Sequence, residues 1–217
     1  MDGEGRILAN EMDSYESPTG GMRPHELAEH HFNVATGVIE AALDRAKLSL
    51  RDISLIGYSR GPGIGQALVI GALVARGLAV KLRRPIVGVN HPLAHVEIGR
   101  KVTGSYDPVT LYVSGGNTQV ITHSGRRYVV LGETLDIGLG NAQDKRGREI
   151  GLPFPAGPKL DRIEGRWVDL PYTVKGMDLS FSGLLTEALR RIRGGDRVED
   201  VVWSFMEVAF SMTVEVA

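Results

Sequence analysis

The sequence predicts an α/β chain, and three observations carry that prediction. Two short apolar runs, residues 53–58 and 86–89, each stop at a turn or a polar residue and pass into a stretch with helical spacing, as strand–helix units do. After Thr103 the pattern becomes β-rich, at 110–114, 118–123 and 128–131, with Gly115-Gly116-Asn117 between the first two runs as a hairpin signature. Glycine is in excess, 28 of 217 residues, or roughly 13% against a usual share of about 7%. It shows no three-residue period, so collagen is excluded.

Composition removes further classes. There is no cysteine, hence no disulfide, thiolate nucleophile or Cys-ligated metal centre. Hydrophobic residues make up 42% and the net charge is -1, which excludes a disordered chain and argues against coating nucleic acid by charge alone. No unbroken run reaches the 18 or so apolar residues of a membrane span. The N-terminus is acidic without an apolar core, unlike a signal peptide. The expectation is a soluble, cytoplasmic protein with no membrane contact.

The elements follow in order. Arg6–Ala9 reads as a short strand and Ser17–Gly21 as a turn. Pro24 opens a helix to about Lys47, with Leu27, His31, Val34, Val38 and Ala42 on one face. The run 53–58 reads as a buried strand, followed by Arg60-Gly61-Pro62-Gly63-Ile64-Gly65 and a helix over 66–81. A second buried strand, 86–89, leads into Asn90-His91-Pro92 and a helix to about Lys101. Beyond the β-rich runs come a helix over 141–150, a turn at 153–158, and a helix from Ser182 to Gly194. Val198, Val201, Val202, Phe205, Val208, Ala209, Met212 and Val216 form a last helical stripe, still running at Ala217. With an unpartnered strand at one end and an open helix at the other, the chain reads as cut at both ends.

Five constellations could carry chemistry. His91 and His95, at i and i+4, share one helix face and can point at one ion, or be two surface histidines. His25-Glu26-Leu27-Ala28-Glu29-His30-His31 is not a zinc-protease helix, because its histidines are five and six apart rather than four. The turn in Tyr112-Val113-Ser114-Gly115-Gly116-Asn117-Thr118 is either an anion-binding nest or an ordinary hairpin. The glycines at 61, 63 and 65 miss both the dinucleotide and Walker fingerprints, so close strand–helix packing is the better reading. Asp136, Asp144 in the first turn of its helix, and Asp161 either charge helix ends or bond a ligand hydroxyl. Basic clusters at Arg83-Arg84, Arg126-Arg127, Lys145-Arg146 with Arg148, and Arg190-Arg191 with Arg193 read first as solvated surface.

Taken together, HELAEHH, SRGPGIGQAL, PIVGVNHPLAHVEIG, LYVSGGNTQVI, GETLDIGLGNAQDKRGREIGLPFPAGPKLDR and VKGMDLSFSGLL, covering most of 22–190 in order, resemble the TsaD family of tRNA threonylcarbamoyl transferases. The tyrosine before SGGN looks like the archaeal and eukaryotic branch that works inside the KEOPS complex. The resemblance implies an actin/Hsp70/sugar-kinase-like fold of two α/β lobes, here 1–107 and 108–217. It implies transfer of threonylcarbamoyl from threonylcarbamoyl-AMP to the adenosine beside the tRNA anticodon, with one Fe or Zn ion and an ATP- or AMP-type nucleotide bound. By the same resemblance His91, His95 and Tyr112 are metal ligands. Tyr112, Val113, Ser114, Gly115 and Gly116 form the phosphate-binding hairpin, and Asp144, Gly157 and Asp161 hold the adenylate. Partners would be tRNA, a small kinase and a dimerisation subunit. The family's GIEGTAH, GGVAAN and DNGAM segments are not in this sequence, so the resemblance is to a central portion. Other readings are a nucleotide-binding ATPase or kinase of the same fold, and a non-catalytic binding module.

Overall fold

The computed structural model describes residues 1–15, 23–125, 127–153 and 155–217. The expected turn at Ser17–Gly21, Arg126, and Phe154 of the expected 153–158 turn lie outside the described residues. The chain divides into two compact units, Met1–Gly104 and Ser105–Ala217.

In the first unit, α1 (Pro24–Ala46) opens with Pro24 and carries Glu26 in its first turn. It closes on Lys47 in the left-handed region, whose N–H returns to the Asp44 carbonyl. A 3₁₀ turn, Leu50–Asp52, is held by reciprocal bonds between Ser49 and Asp52. Strand β1 (Ile56–Gly61), helix α2 (Gly65–Leu82), strand β2 (Ile86–Asn90) and helix α3 (His91–Thr103) follow. β1 and β2 pair in parallel, Ile56 opposite Ile86, with α2 as the crossover. Ile56, Ala75 and Ala79 form a small core against Ile53, Tyr58, Leu78 and Leu82.

Three expectations change here. β1 starts at Ile56 rather than 53, because the capped 3₁₀ turn extends to Asp52 and Ile53 is its C-cap. Arg6–Ala9 is not a strand: it pairs with no strand among the described residues, and Arg6 is tied back to the Asp2 carboxylate through its N–H (2.9 Å) and Nε (2.6 Å). Nor is β2 buried. Ile86, Val87 and Val89 are exposed, Val87 by 47%, because this sheet has only two described strands whereas parallel sheets are normally covered on both faces. In addition, α2 is long and apolar enough, by length and composition, to cross a membrane. Its only charged residues are Arg76 and Lys81, and it packs against β1 and α1.

In the second unit, β3 (Thr110–Val113), β4 (Thr118–Ser124) and β5 (Arg127–Glu133) form an antiparallel meander. Helix α4 (Leu139–Glu149) starts two residues earlier than expected. Then come the short α5 (Gly157–Leu160), a two-residue hairpin of β6 (Val174–Lys175) and β7 (Asp178–Leu179), α6 (Ser182–Arg193) and α7 (Val198–Glu215). The α7 stripe read from the sequence is the heart of the core. Val201, Val202, Phe205, Val208, Ala209 and Met212 are buried against Leu184, Leu185 and Ala188 of α6 and Leu139 and Ala142 of α4. The helix closes at Glu215, with Val216 as its C-cap, rather than running on through Ala217.

Candidate functional site

In the first unit, β2 passes directly into α3 through Asn90, whose side chain accepts the Leu93 N–H at 3.1 Å and so caps the helix. This cap fixes the start of α3, from which His91 projects and, one turn on, His95. Their rings lie edge to face, with centroids 4.6 Å apart. Their Nε2 atoms approach to 3.3 Å, and both residues are exposed. Two imidazole nitrogens on a tetrahedral ion at about 2.0–2.1 Å stand about 3.4 Å apart, so the spacing suits a shared ion. Among the described residues no group of three or more His, Cys, Asp or Glu side chains forms a metal cluster. Tyr112 lies in the second unit. The other histidine cluster is committed elsewhere: His31 Nδ1 is 2.8 Å from the Leu27 carbonyl, and His30 Nε2 is 3.0 Å from Asp13. A Cβ on Gly61 (φ 122°) or Gly63 would meet Leu68 of α2 at an ordinary contact distance of 3.4 Å.

In the second unit the β3–β4 turn is docked on the start of α4. The Ser114 N–H donates to the Asn117 carbonyl at 2.7 Å, and the Ser114 hydroxyl accepts the Asn117 N–H at 3.1 Å. The Ser114 and Gly115 carbonyls then accept the N–H groups of Gly140 (3.2 Å) and Asn141 (2.9 Å), and the Thr118 hydroxyl accepts that of Leu139 (3.0 Å). In a trans peptide unit C=O and N–H point in opposite directions. The Gly115 and Gly116 amides therefore face away from α4, and their dipoles lie in series with that of the helix. The turn thus carries the positive end of α4 outward to two glycine N–H groups. Glycine is needed for the approach itself. A Cβ on Gly138 would lie 2.6 Å from the Gly115 carbonyl oxygen, and one on Gly140 would lie 2.8 Å from that of Ser114. Tyr112 is buried on β3, whereas Val113 alternates outward.

Asp144 sits in the second turn of α4, not the first, because the helix begins at Leu139. Its carboxylate accepts the Ala156 N–H at 2.8 Å and so holds the segment before Gly157 against α4. A Cβ on Gly157 would reach Gln143 Oε1 at 2.8 Å. Asp144 and Gly157 are thus brought together, while Asp161 ends α5 and is exposed. The reading of Asp136 as a helix-end charge takes a long-range form. Its carboxylate accepts N–H groups from Ile137 (2.6 Å), Phe181 (3.0 Å) and Ser182 (3.0 Å) and the Ser180 hydroxyl, fixing the start of α6. Partial burial pushes this carboxyl up, but the hydrogen bonds outweigh it and hold the group at about 2. Asn90 acts as a cap that helical spacing alone does not reveal. An Asn closing a strand just before His-Pro was the available signal.

The sequence pattern of the family described as TsaD: tRNA N6-adenosine threonylcarbamoyltransferase matches residues 6–217. The chain belongs to the TsaD family. It is 55% identical over 216 residues to a probable bifunctional tRNA threonylcarbamoyladenosine biosynthesis protein of Thermoplasma acidophilum, covering 98% of this chain and 41% of that protein. It is 51% identical to the tRNA N6-adenosine threonylcarbamoyltransferase of Thermococcus sibiricus, covering 98% of this chain and 67% of that protein. Among solved structures, YeaZ from Pseudomonas aeruginosa matches 79% of this chain and 83% of its own at 18% identity, with a TM-score of 0.37. The chain therefore spans about two fifths of its bifunctional relatives. Membership of the TsaD family carries the α/β fold of the actin/Hsp70/sugar-kinase type.

Proposed function

We propose that this chain contributes to transfer of the threonylcarbamoyl group from threonylcarbamoyl-AMP to the adenosine beside the anticodon of tRNA. The observation that carries the proposal is the β3–β4 turn on the N-terminus of α4, within a chain matched along 6–217 by the TsaD family. In the reaction, the exocyclic amine of adenine attacks the carbamoyl carbon and gives up a proton to water, the bond from that carbon to the phosphate oxygen breaks, and AMP leaves. Negative charge grows on the departing phosphate. The outward amides of Gly115 and Gly116 are oriented before the reaction begins, which is how fixed backbone dipoles lower such a barrier. Asp144, by fixing the segment before Gly157, shapes the part of this unit that would hold the adenosine; Asp161 lies one short helix further on.

His91 and His95 would hold a metal ion, Fe or Zn. The 3.3 Å separation of the two Nε2 atoms supports the pair. When bound, such an ion acts as a Lewis acid toward a carbonyl or phosphate oxygen. The two lobes of the fold correspond on this reading to 1–107 and 108–217. tRNA and KEOPS-type subunits, among them a small kinase and a dimerisation subunit, are the partners, and the cytoplasm is the place of action.

The test uses purified protein, labelled threonylcarbamoyl-AMP and tRNA, with AMP binding and metal content measured alongside. By itself this chain is expected to label tRNA weakly or not at all, so AMP binding and metal content decide the test. Gly115→Val should abolish AMP binding, since its Cβ would meet Asn141 Oδ1 at 3.3 Å and the larger side chain would push the turn off α4. The His91→Ala, His95→Ala double variant should lose its bound Fe or Zn. Unchanged AMP affinity together with unchanged metal content would overturn the proposal. Release of inorganic phosphate from ATP without labelling of tRNA would favour an ATPase.

A further inference from the structure

The structure separates the basic clusters that the sequence shows. On α6 and the start of α7 the arginines are neutralised: Arg190 and Arg191 pair with Glu187, Arg191 also with Asp196, Arg193 with Glu149 and Arg197 with Glu199. The Arg83-Arg84 cluster differs. Where α2 ends, Lys81, Arg83 and Arg84 are joined by Arg51 from the 3₁₀ turn, and none of the four forms an ion pair among the described residues. Arg51, Lys81 and Arg84 line a depression of about 440 Å³ together with Leu50 and Leu82, with no acidic residue in the lining. The neighbouring Asp52 is turned to Ser49, whose N–H and hydroxyl it accepts. Arg84 is pre-positioned by donating to the Arg51 carbonyl at 3.3 Å.

Like charges repel, so gathering three cations around one hollow costs free energy unless an anion enters it. The α2 carboxyl end offsets about half a charge, which leaves most of the positive potential unopposed. Arg83 adds to the cost by adopting φ 51°, a left-handed conformation unfavourable for a side-chain-bearing residue.

We infer that the Arg51–Lys81–Arg84 hollow is a docking site for the sugar-phosphate backbone of the tRNA substrate. This inference rests on the proposed function, and it assigns to tRNA a surface apart from the reacting groups. The hollow precedes β2 and the histidine pair follows it. At about 3.3 Å per residue the five-residue strand sets them roughly 17 Å apart. Contacts there act on binding rather than on chemistry. Planar guanidinium forks suit phosphate oxygens, and the hollow has no aromatic platform for a base, so the contact follows the backbone and carries no sequence preference.

The experiment compares the unaltered protein with the exposed-surface triple variant Arg51→Gln, Lys81→Gln, Arg84→Gln. A second variant, Arg51→Lys, Arg84→Lys, keeps the charge. Fluorescence anisotropy with labelled tRNA between 50 and 200 mM salt is read alongside AMP affinity and thermal unfolding. Losing three phosphate contacts should flatten the log K against log salt slope by about 2–3 and weaken tRNA binding at least tenfold at 50 mM salt. AMP affinity and unfolding temperature should stay constant, and the lysine variant should bind tRNA within about threefold of the parent. An unchanged slope in a parent that binds tRNA overturns this inference alone. Loss of AMP binding in the triple variant shows a free-nucleotide site and overturns it. Loss of binding to an acidic polypeptide, with tRNA binding intact, shows a protein-docking face and overturns it too. Absence of tRNA binding by the parent overturns both this inference and the function it rests on.

Discussion

Replacing Arg146 by methionine should make the protein more stable. Arg146 lies on α4 with 0% of its surface exposed, and no hydrogen-bond partner of its three guanidinium nitrogens is found among the described residues. Its carbon Cζ sits 4.9 Å from the centre of the Phe205 ring. Burial holds its pKa down at about 10. One pKa unit is about 1.4 kcal/mol, so the shift corresponds to about 3 kcal/mol of penalty on the charged form. The cation–π contact returns at most about 2 kcal/mol when desolvated. Methionine keeps most of the volume and brings no charge, so Arg146→Met should stabilise by about 1–2 kcal/mol. That is within the range seen when buried ionic groups give way to apolar ones. Urea unfolding at pH 7 measures it directly, and a thermal scan should show a rise of about 4 °C per kcal/mol. A destabilisation of 1 kcal/mol or more would mean that the guanidinium holds a partner worth more than its desolvation, and the reasoning would fail. Arg146→Leu, with the same sign and a smaller gain, separates charge removal from the particular fit of methionine.

Asp136→Asn should destabilise by about 1–2 kcal/mol, because the amide cannot accept from all of Ile137, Phe181, Ser182 and Ser180. Its folded pKa, about 2, is depressed below the ordinary 3.8. The stability it contributes is therefore present above about pH 4 and is lost as pH falls toward 2; denaturant titrations of parent and variant should converge there. Gly138→Ala puts a methyl 2.6 Å from backbone atoms of Gly115 and Gly116. It should cost about 1–3 kcal/mol and weaken AMP binding, whereas unchanged values for both would mean that the turn moves freely over α4.

Much of this was legible in the sequence where the deciding forces are local or periodic. The α7 stripe, the Gly115-Gly116 hairpin and the Pro24 helix start follow from side-chain spacing and backbone preference. What failed depended on neighbours. The apolar run 86–89 reads as buried because Ile and Val are usually covered, yet exposure is decided by how many layers flank the sheet, which one strand does not reveal. The Asp136 bonds to 180–182 span more than forty residues. Asp144 falls in the second turn rather than the first because the hairpin recruits Leu139 and Gly140 into α4, although Gly140 has poor intrinsic helix propensity. The convergence of His91 and His95 was anticipated from i, i+4 spacing; the cap that aims them was not.

The docking of the β3–β4 turn on α4 bears on how the two elements form. α4 carries two glycines, Gly140 and Gly147, and has Gly138 at its N-cap with no side chain to satisfy the first amides. Nucleating such a segment alone is unfavourable by orders of magnitude. The Ser114 and Gly115 carbonyls and the Thr118 hydroxyl supply the acceptors its first turn lacks, so the hairpin serves as a template. The consequence is mutual dependence: the turn completes the first turn of α4, and α4 in turn holds the hairpin's carbonyls. Damage to the hairpin is then felt as a missing helix as well as a missing ligand contact.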